Sequence, residues 1–365
     1  MENSTVFLTR KIQLIADLPT QEERKEVVST LYKWQNRCFI AANMIVSHLY
    51  VQEMVKDFFY FSEGIKYKLA DENKDDSGIL KWSRSTTIYR VLSKRFKDEV
   101  PMYILSSLIN TLYLSFKKDC VKYWKGELSL KIFKRDIAIP FNIARISKFS
   151  YDTDKKYIYF KLYKIPFKTY LGRDYIDNYK LLEQIVSKEI RICRSHIKLE
   201  KNKIFWVFTV EIEKEKNQLQ PDIIAEVSLS LEYPLVVKIG RSQLTIGSKE
   251  EFLYRRLAIQ ASRKRILEGV PFCKGGKGKA RKLKIAKKLK NTESKYIHHR
   301  LHVYSRMLID FCVEKKAGTI VIVDQEEKIQ IAKEERFVLR NWSYYELIHK
   351  IKYKADKAGI ELITA

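Results

Sequence analysis

Cationic side chains are concentrated between Glu268 and Glu293, a stretch that contains no other acidic residue. Glycines at 275, 276 and 278 let the backbone at its start approach a ligand closely. Lysine and arginine without neighbouring carboxylates neutralise phosphates and release counterions. The alternative interpretation is that the segment is a flexible, solvated loop. The GxxxxGK spacing of a P-loop is absent. We predict phosphate contacts by Lys274, Lys277, Lys279, Arg281, Lys282, Lys284, Lys287, Lys288 and Lys290.

Other cations adjoin aromatic residues, a combination that can stack bases while it grips a nucleic-acid backbone. Most of these aromatic rings are expected to belong to the core. The sequence contains Tyr32-Lys33-Trp34 and Tyr89-Arg90. Backbone contacts are predicted for Arg255, Arg256, Arg263 and Arg265, and contacts near a duplex for Arg37, Arg84, Tyr89 and Arg90. Lys33 is predicted to bind nucleic acid.

Two histidines, His298 and His302, are one helical turn apart, a spacing that can place two imidazoles on one metal ion. The HExxH pattern of zinc proteases requires a glutamate where His299 stands, so the general base is missing. We therefore favour a histidine cluster on the surface or facing RNA over a metal site.

The composition as a whole favours a polyanionic partner. The 365 residues carry 70 Lys and Arg against 44 Asp and Glu, a net charge of +26. AT-rich coding would enrich glutamate as well as lysine and does not explain this excess. Nucleic acid is therefore favoured over a membrane surface. The sequence has no run of eighteen apolar residues and no signal-peptide pattern, so we expect a cytoplasmic protein, nucleoid-associated in a bacterium. Its five scattered cysteines predict free thiols.

Helical patterns dominate the first part of the chain. An extended segment at 5–15 is expected to pair with a strand supplied later. The capping box Thr20-x-x-Glu23 predicts the start of a helix whose stripe, from Val27 to Leu49, is buried. Ser83 is predicted to cap a second helix, and a third extends from Met102 to Lys125.

Strand patterns follow from about 128 to 212, interrupted by one helix near 175–188, and predict a small barrel or curled sheet. The polar stretch 213–222 is the predicted boundary. Beyond it we predict strands at 226–232, 234–239 and 243–247, a helix capped by Ser248, a long helix to about Lys316, a strand at 319–323, and a final helix and strand. Three hairpin-linked strands followed by alternating helices and strands are typical of an RNase H-like domain.

The segment from Ala225 to the end is similar to the C-terminal half of the transposon-encoded TnpB proteins and their descendants, the compact type V-F CRISPR effectors. The motifs that carry the resemblance span about 140 residues in the right order. They are VSLSLEYPLVV (227–237), FLYRRLAIQASRKR (252–265), the basic segment, HHRLHVYSRMLID (298–310), TIVIVDQ (319–325) and NWSYYELIHKIKYKADKAGIELI (341–363).

The resemblance implies a multidomain α+β fold. The expected parts are the first strand of a wedge domain at 1–19, a helical recognition lobe at 20–127, the rest of the wedge β-barrel, of oligonucleotide-binding type, at 128–222, and a RuvC domain, which is RNase H-like, at 223–365. Over the first 225 residues only the layout agrees with the family.

Active family members are RuvC nucleases whose acidic residues hold two divalent ions. Two of the matching positions here are Ser230 and Val323, and the zinc ribbon with the third carboxylate would begin where this sequence stops, at Ala365. Glu232 lies about 6.6 Å along the strand from Ser230, and Asp324 is expected to face away, so neither replaces a missing ligand. We expect no nuclease activity and no catalytic Mg²⁺ or Zn²⁺.

The expected function is therefore RNA-guided DNA binding without cleavage. Guide RNA and double-stranded DNA with a short adjacent motif are the expected partners, and regulation of transcription, by promoter occupancy or by recruitment of a sigma factor or RNA polymerase, is the expected output. A homodimer on one RNA is possible, and no membrane is involved. Two alternatives remain open: a RuvC nuclease with substituted or partner-supplied ligands, and an unguided basic protein that is a transposon remnant.

Overall fold

The computed structural model describes residues 5–62, 83–152, 157–172, 175–228, 233–273, 275–322 and 344–364. The chain divides into two compact units, one of residues 7–212 and one of residues 213–365 with residues 1–6. The names and borders of the predicted domains stay a prediction.

Three helices form the first part of the larger unit: α1, Gln21–Ser62; α2, Arg84–Phe96; and α3, Met102–Trp124. The capping box is present, because the backbone N–H of Glu23 donates to Thr20 Oγ1 and the N–H of Thr20 donates to Glu23 Oε2, both at 3.2 Å. Ser83 caps α2 as predicted, accepting from the N–H of Thr86. These contacts satisfy donors that a helix start leaves unpaired.

Helix α1 buries the predicted stripe, including Leu31, Cys38, Ile45 and Leu49, each fully inaccessible. Between Gln21 and Val55 this helix is long and apolar enough to cross a membrane by length and composition. One third of its apolar window is buried, and the stripe belongs to the core of the unit.

A seven-stranded sheet completes this unit. Its strands are β1, Thr5–Ala16; β2, Ile139–Phe141; β3, Ile146–Asp152; β4, Tyr157–Leu162; β5, Ile165–Tyr170; β6, Ile192–Glu200; and β7, Lys203–Glu213. Their order is β2-β6-β7-β1-β5-β4-β3, and helix α4, Ile176–Val186, separates β5 from β6 along the chain. The N-terminal segment pairs with later strands as predicted, with Gln13 opposite Tyr170 in β5.

Helices and sheet share one hydrophobic core, which contains Leu31 of α1, Leu105 of α3, and Phe160 and Trp206 of the sheet. The buried indole N–H of Trp206 donates to Ser195 Oγ at 3.2 Å. The helices predicted as a separate lobe therefore pack into the same core as the strands.

The second unit contains a five-stranded sheet in the order β10-β9-β8-β11-β12. The strands are β8, Gln220–Ser228; β9, Leu235–Ile239; β10, Ser242–Ile246; β11, Ala317–Ile322; and β12, Glu361–Thr364. β8, β9 and β10 are antiparallel, whereas β11 pairs in parallel with β8 and β12. This is the predicted succession of strands.

Strand β8 begins earlier than the predicted strand at 226–232. The N–H of Gln220 donates to the carbonyl of Lys316 at 2.9 Å, and the Thr319 hydroxyl donates to the Pro221 carbonyl at 3.1 Å. A Cβ atom on Gly318 would lie 2.7 Å from the Gln220 carbonyl oxygen, so only glycine allows this approach. These long-range contacts extend the strand to Gln220, which belongs to the polar stretch predicted as the domain boundary.

Among the described residues of this unit, three helices pack on the sheet: α5, Lys249–Glu268; α6, Gly276–Glu314; and α7, Tyr344–Ala358. Ser248 caps α5 as predicted, accepting from the N–H of Glu251 at 3.2 Å. The basic segment is helical from Gly276 onward, so the alternative of a flexible loop is wrong for the residues that the structure describes. The segment continues without a break into the half of α6 that packs in the core through Leu301, Tyr304 and Leu308.

Candidate nucleic-acid interface

Helices α5 and α6 form an antiparallel hairpin held by polar contacts along its length. Glu293 of α6 accepts from Arg256 Nε at 2.9 Å and from Gln260 Nε2 at 2.7 Å. Nearer the core, the Tyr296 hydroxyl donates to the Glu251 carbonyl at 3.0 Å, and Arg300 pairs with the Glu251 carboxylate at 2.5 Å. The hairpin therefore presents a defined surface.

Two of the predicted phosphate ligands hold this hairpin together. Arg256 is only 9% exposed and pairs with the buried Glu293, so it is not on the surface that a phosphate would contact. The Lys282 ammonium donates to the Gly269 carbonyl at 2.6 Å and thereby ties the end of α5 to α6. Arg256 and Glu293 are 37 residues apart in the sequence, and Lys282 and Gly269 are 13 residues apart. Each pair meets only when the two helices pack.

The other predicted cations of the hairpin that the structure describes are accessible. On α6 the residues Lys277, Arg281, Lys284 and Lys288 recur every three or four positions and therefore share one face. Lys274 lies outside the described residues. The exposed cations are Arg255, Arg265, Lys277, Lys279, Arg281, Lys284, Lys287, Lys288 and Lys290, and Arg263 is half-exposed.

The glycines at the start of the basic segment were predicted to let the backbone approach a ligand, but in the structure they form the turn that leads into α6. Gly275 and Gly276 have φ values of 83° and 64°, so they turn the chain into α6 through backbone conformations that favour glycine. The row of cations that follows lies on a helix. It repeats about once per 5.4 Å turn.

The residues predicted in the first unit lie on α1 and α2. Lys33, Tyr89 and Arg90 are exposed. Arg37 is half-buried and pairs with Glu99, and Arg84 is 9% exposed and pairs with Glu53. Arg84 therefore connects α2 to α1, while Lys33, Tyr89 and Arg90 keep surfaces that a ligand can reach.

A cleft of about 1550 Å³ in the first unit was not predicted from the sequence. It is lined by α3, β2 and β6 and by the residues that follow α4. None of the described residues that line it carries a carboxylate, whereas four are cations: Lys118, Lys188, Arg191 and Arg194. The three-residue spacing of Lys188, Arg191 and Arg194 is visible in the sequence. That these cations share a cleft with residues of α3 is not.

The cleft offers more than charge. Phe133, Phe141 and Phe149 contribute aromatic surface, and Asn110 and Asn142 contribute amides. Burial, together with the charge of Lys198, lowers the pKa of His196, which also lines the cleft and is therefore neutral near pH 7. Cations beside aromatic and amide groups are the combination that binds unstacked nucleotides.

The histidine pair of α6 binds a lysine. His298 Nδ1 donates to Glu346 Oε1 at 2.5 Å, and the Lys350 ammonium donates to Nε2 of His298 at 3.4 Å and of His302 at 3.2 Å. Burial, with the nearby Lys350 and Lys354 ammonium groups, lowers the pKa of His302 to about 4. The cluster thus consists of two imidazoles that face the Lys350 ammonium of α7.

The positions predicted for RuvC acidic residues, Ser230 and Val323, lie outside the described residues, as does Glu232. The strands that lead to them are adjacent and parallel, with Val227 of β8 opposite Ile322 of β11. Within the described ranges, no group of three or more histidine, cysteine, aspartate or glutamate side chains is arranged to hold a metal ion.

Comparison with known proteins identifies two curated relatives. The chain is 27% identical over 192 residues to the CRISPR-associated endodeoxyribonuclease Cas12f1 of Sulfoacidibacillus thermotolerans, a match to 50% of this chain and 44% of the relative. It is 22% identical over 304 residues to the Cas12f1 of Syntrophomonas palmitatica, covering 74% and 59% of the two chains. The chain thus spans about half the length of the curated relatives it matches.

The fold has a counterpart among solved structures. A cryo-EM structure of a Cas12f1–sgRNA–target DNA complex contains a chain that superposes with a TM-score of 0.73 and 14% identity, covering 99% of this chain and 89% of its own. No protein-family model matches the sequence. The resemblance indicated by the motifs from Ala225 onward is therefore confirmed at the level of similarity: the chain is similar in sequence to two Cas12f1 proteins and in fold to a chain of a Cas12f1 complex.

Proposed function

We propose that the chain binds a guide RNA and, with it, double-stranded DNA, without cutting that DNA. The observation that carries the proposal is the pair of cationic surfaces, the α5–α6 hairpin and the cleft lined by Arg191 and Arg194, on a fold whose solved counterpart is a complex with sgRNA and target DNA. Base pairing by the guide supplies sequence specificity, and the protein holds the nucleic acid by charge and shape.

The exposed row on α6 is suited to a phosphate backbone. Lys277, Arg281, Lys284 and Lys288 offer one cation per helical turn with no carboxylate among them. Each neutralised phosphate releases condensed counterions, which makes binding favourable and dependent on salt. The cleft supplies aromatic and amide surface for nucleotides that leave the helical stack.

Loss of nuclease activity is proposed from side-chain chemistry at two sequence positions. Ser230 and Val323 stand where family members have acidic residues, and neither a hydroxyl nor an isopropyl group replaces a carboxylate as a ligand of Mg²⁺. A complex that does not cut its target remains on it. Regulation of transcription, by blocking a promoter or by recruiting a sigma factor or RNA polymerase, follows as the proposed output.

The first test is to express the chain with its native flanking DNA, purify it in high salt and sequence the bound RNA. One abundant RNA with a constant scaffold and a variable end is expected, and a duplex that matches this end should be bound specifically. Heterogeneous RNA, or none, would contradict guiding and favour an unguided basic protein.

A metal-dependent nuclease is the second candidate, because the curated relatives are named endodeoxyribonucleases. The purified RNA complex is incubated with matched duplex and Mg²⁺ or Mn²⁺, with a mismatched duplex as the control. Intact DNA is expected. Guide-dependent cleavage that EDTA abolishes would show that other ligands, or a partner, complete the site.

A further inference from the structure

Phe272 stands at the tip of the α5–α6 hairpin with its ring in solvent. The ring is 87% exposed, although burying a phenylalanine side chain is favourable by about 1.5–3 kcal/mol. The residue follows Pro271 in the short connection between Glu268 and Gly276. This connection carries the aromatic ring between two basic helices.

The backbone of the connection that carries Phe272 is held by hydrogen bonds on both sides of this residue. The N–H of Cys273 donates to the Val270 carbonyl at 3.1 Å, and that of Gly275 donates to the Cys273 carbonyl at 2.7 Å. The Lys282 ammonium donates to the Gly269 carbonyl at 2.6 Å and fixes α6 against the start of the connection. The backbone that carries the exposed ring is therefore anchored to both helices.

The surroundings of Phe272 combine apolar surface with positive charge. Leu267, in the last turn of α5, and Leu283, beside Lys282 on α6, are both exposed. Cations flank the tip on both helices, including Arg265 and Lys279. The one acidic residue of the adjacent turn, Glu268, faces Lys264 at 3.8 Å. This surface is complementary to a polyanion that also offers an apolar face.

We propose that Phe272 is a stacking site for an unpaired base of a nucleic-acid strand whose phosphates lie along the cations of the hairpin. A base has both required properties, because its π-face stacks on an aromatic ring while its phosphate is drawn to the cations. The inference deepens the proposed function, on which it rests for the class of ligand, and it assigns the tip to single strands or strand junctions.

Tryptophan fluorescence tests the contact directly. In Phe272→Trp, titration of the full-length chain with poly(dT) is expected to quench the added fluorescence, relative to wild type, because the indole stacks on bases. Ile176→Trp, at an exposed position at the start of α4, is the matched control and should not be quenched. Quenching by anionic phospholipid vesicles without quenching by poly(dT) would overturn the proposal in favour of a membrane contact.

Affinity measurements give the second readout. Phe272→Ala is expected to weaken binding of poly(dT) about 5- to 150-fold, the range for one stacked base, while binding of a fully paired duplex and the salt slope stay unchanged. Phe272→Leu should lose most of the same affinity because it keeps apolar surface without the ring. Unchanged poly(dT) affinity, or an equal loss for duplex, would refute stacking.

The two proposals fail separately. If no defined RNA copurifies but the fluorescence of Phe272→Trp is quenched by poly(dT), the proposal of a guide RNA is refuted and that of base stacking is supported. If a defined RNA copurifies and the tip variants behave as wild type, stacking falls and guiding stands. An unchanged thermal midpoint of Phe272→Ala, expected for so exposed a ring, excludes misfolding as the cause of lost affinity.

Discussion

Glu293 accepts hydrogen bonds from both Arg256 and Gln260 in a buried position between two helices. Glu293→Ala is expected to destabilise the second unit by about 3–5 kcal/mol, because it removes the carboxylate that pairs with the buried Arg256 charge. Urea unfolding measures the change. The double variant Arg256→Met with Glu293→Leu removes both charges and should be less destabilised than Glu293→Ala. If it is more destabilised, the cost of Glu293→Ala does not come from the loss of the carboxylate that faces the buried Arg256 charge.

His302 makes stability depend on pH at the contact between α6 and α7. Its pKa is about 4 in the folded chain, against an ordinary value of 6.5, so the unfolded chain binds more protons between these values. Stability should therefore fall as pH drops from 6.5 to 4. His302→Gln, which can still accept from Lys350, should flatten this part of the profile, as followed by urea midpoints. The exposed His299→Gln is the control and should keep the wild-type slope.

Single residues were predictable where their partners are local. Thr20, Ser83 and Ser248 could be assigned as caps because each bonds a backbone group three residues away. Arg256 could not be distinguished from the exposed arginines near it, because its partner is 37 residues distant and meets it only when the helices pack. Arg84 pairs with Glu53, 31 residues away, for the same reason.

At the scale of the element, the cationic row of α6 should govern salt dependence. Alanine at Lys277, Arg281, Lys284 and Lys288 is expected to weaken RNA binding and to reduce the slope of log affinity against log salt by about 0.7 for each lost phosphate contact. The measurement is a salt titration of RNA affinity. Lys282 is excluded because it ties the hairpin together.

A variant with the same loss of charge elsewhere separates local contacts from net charge. Alanine at four exposed lysines outside the hairpin and the cleft lining should leave the salt slope close to wild type: Lys122, Lys125, Lys216 and Lys352. Equal losses in the two fourfold variants would show that total charge, and not the row on α6, determines RNA binding.

Elements were predictable where period and caps agree, and less so where the chain depends on distant support. The period-two pattern of β7 and the apolar repeat of α1 both correspond to observed elements. The basic segment, with three glycines and like charges, has a weak local preference for helix, yet it continues a helix whose other half is packed in the core. Strand β8 begins early because it meets β11, which follows about 90 residues later.

For the whole molecule, the cleft predicts a second, independent source of affinity. Arg191→Glu with Arg194→Glu replaces two cations of the lining by anions and should reduce the RNA retained through a high-salt purification. Quantifying RNA per protein measures the effect. Lys201→Glu with Lys203→Glu, at exposed positions outside the cleft lining, is the matched control. If the two variants retain equal amounts of RNA, the cleft does not contribute to RNA binding.

The class of partner could be predicted from the whole sequence, whereas the cleft could not. A net charge of +26 indicates a polyanion without any knowledge of the fold. The cleft is built from residues between Thr9 and Thr209 in the sequence, and the convergence of its cations Lys118 and Arg194 depends on how α3 packs beside the sheet. The resemblance could be recognised from the sequence because the motifs that carry it follow one another along the second unit.

The length of α6 has a consequence for how this protein meets its ligand. The helix has 39 residues and, at 1.5 Å per residue, is about 58 Å long. Like charges one turn apart, and cations at the positive end of its dipole, oppose helix formation in the first half, which is held by its contacts with α5, while the core anchors the second half. Polyanion binding and helix formation are thus thermodynamically linked. Added RNA should slow amide hydrogen exchange in residues 277–290 and leave residues 300–312 as they were.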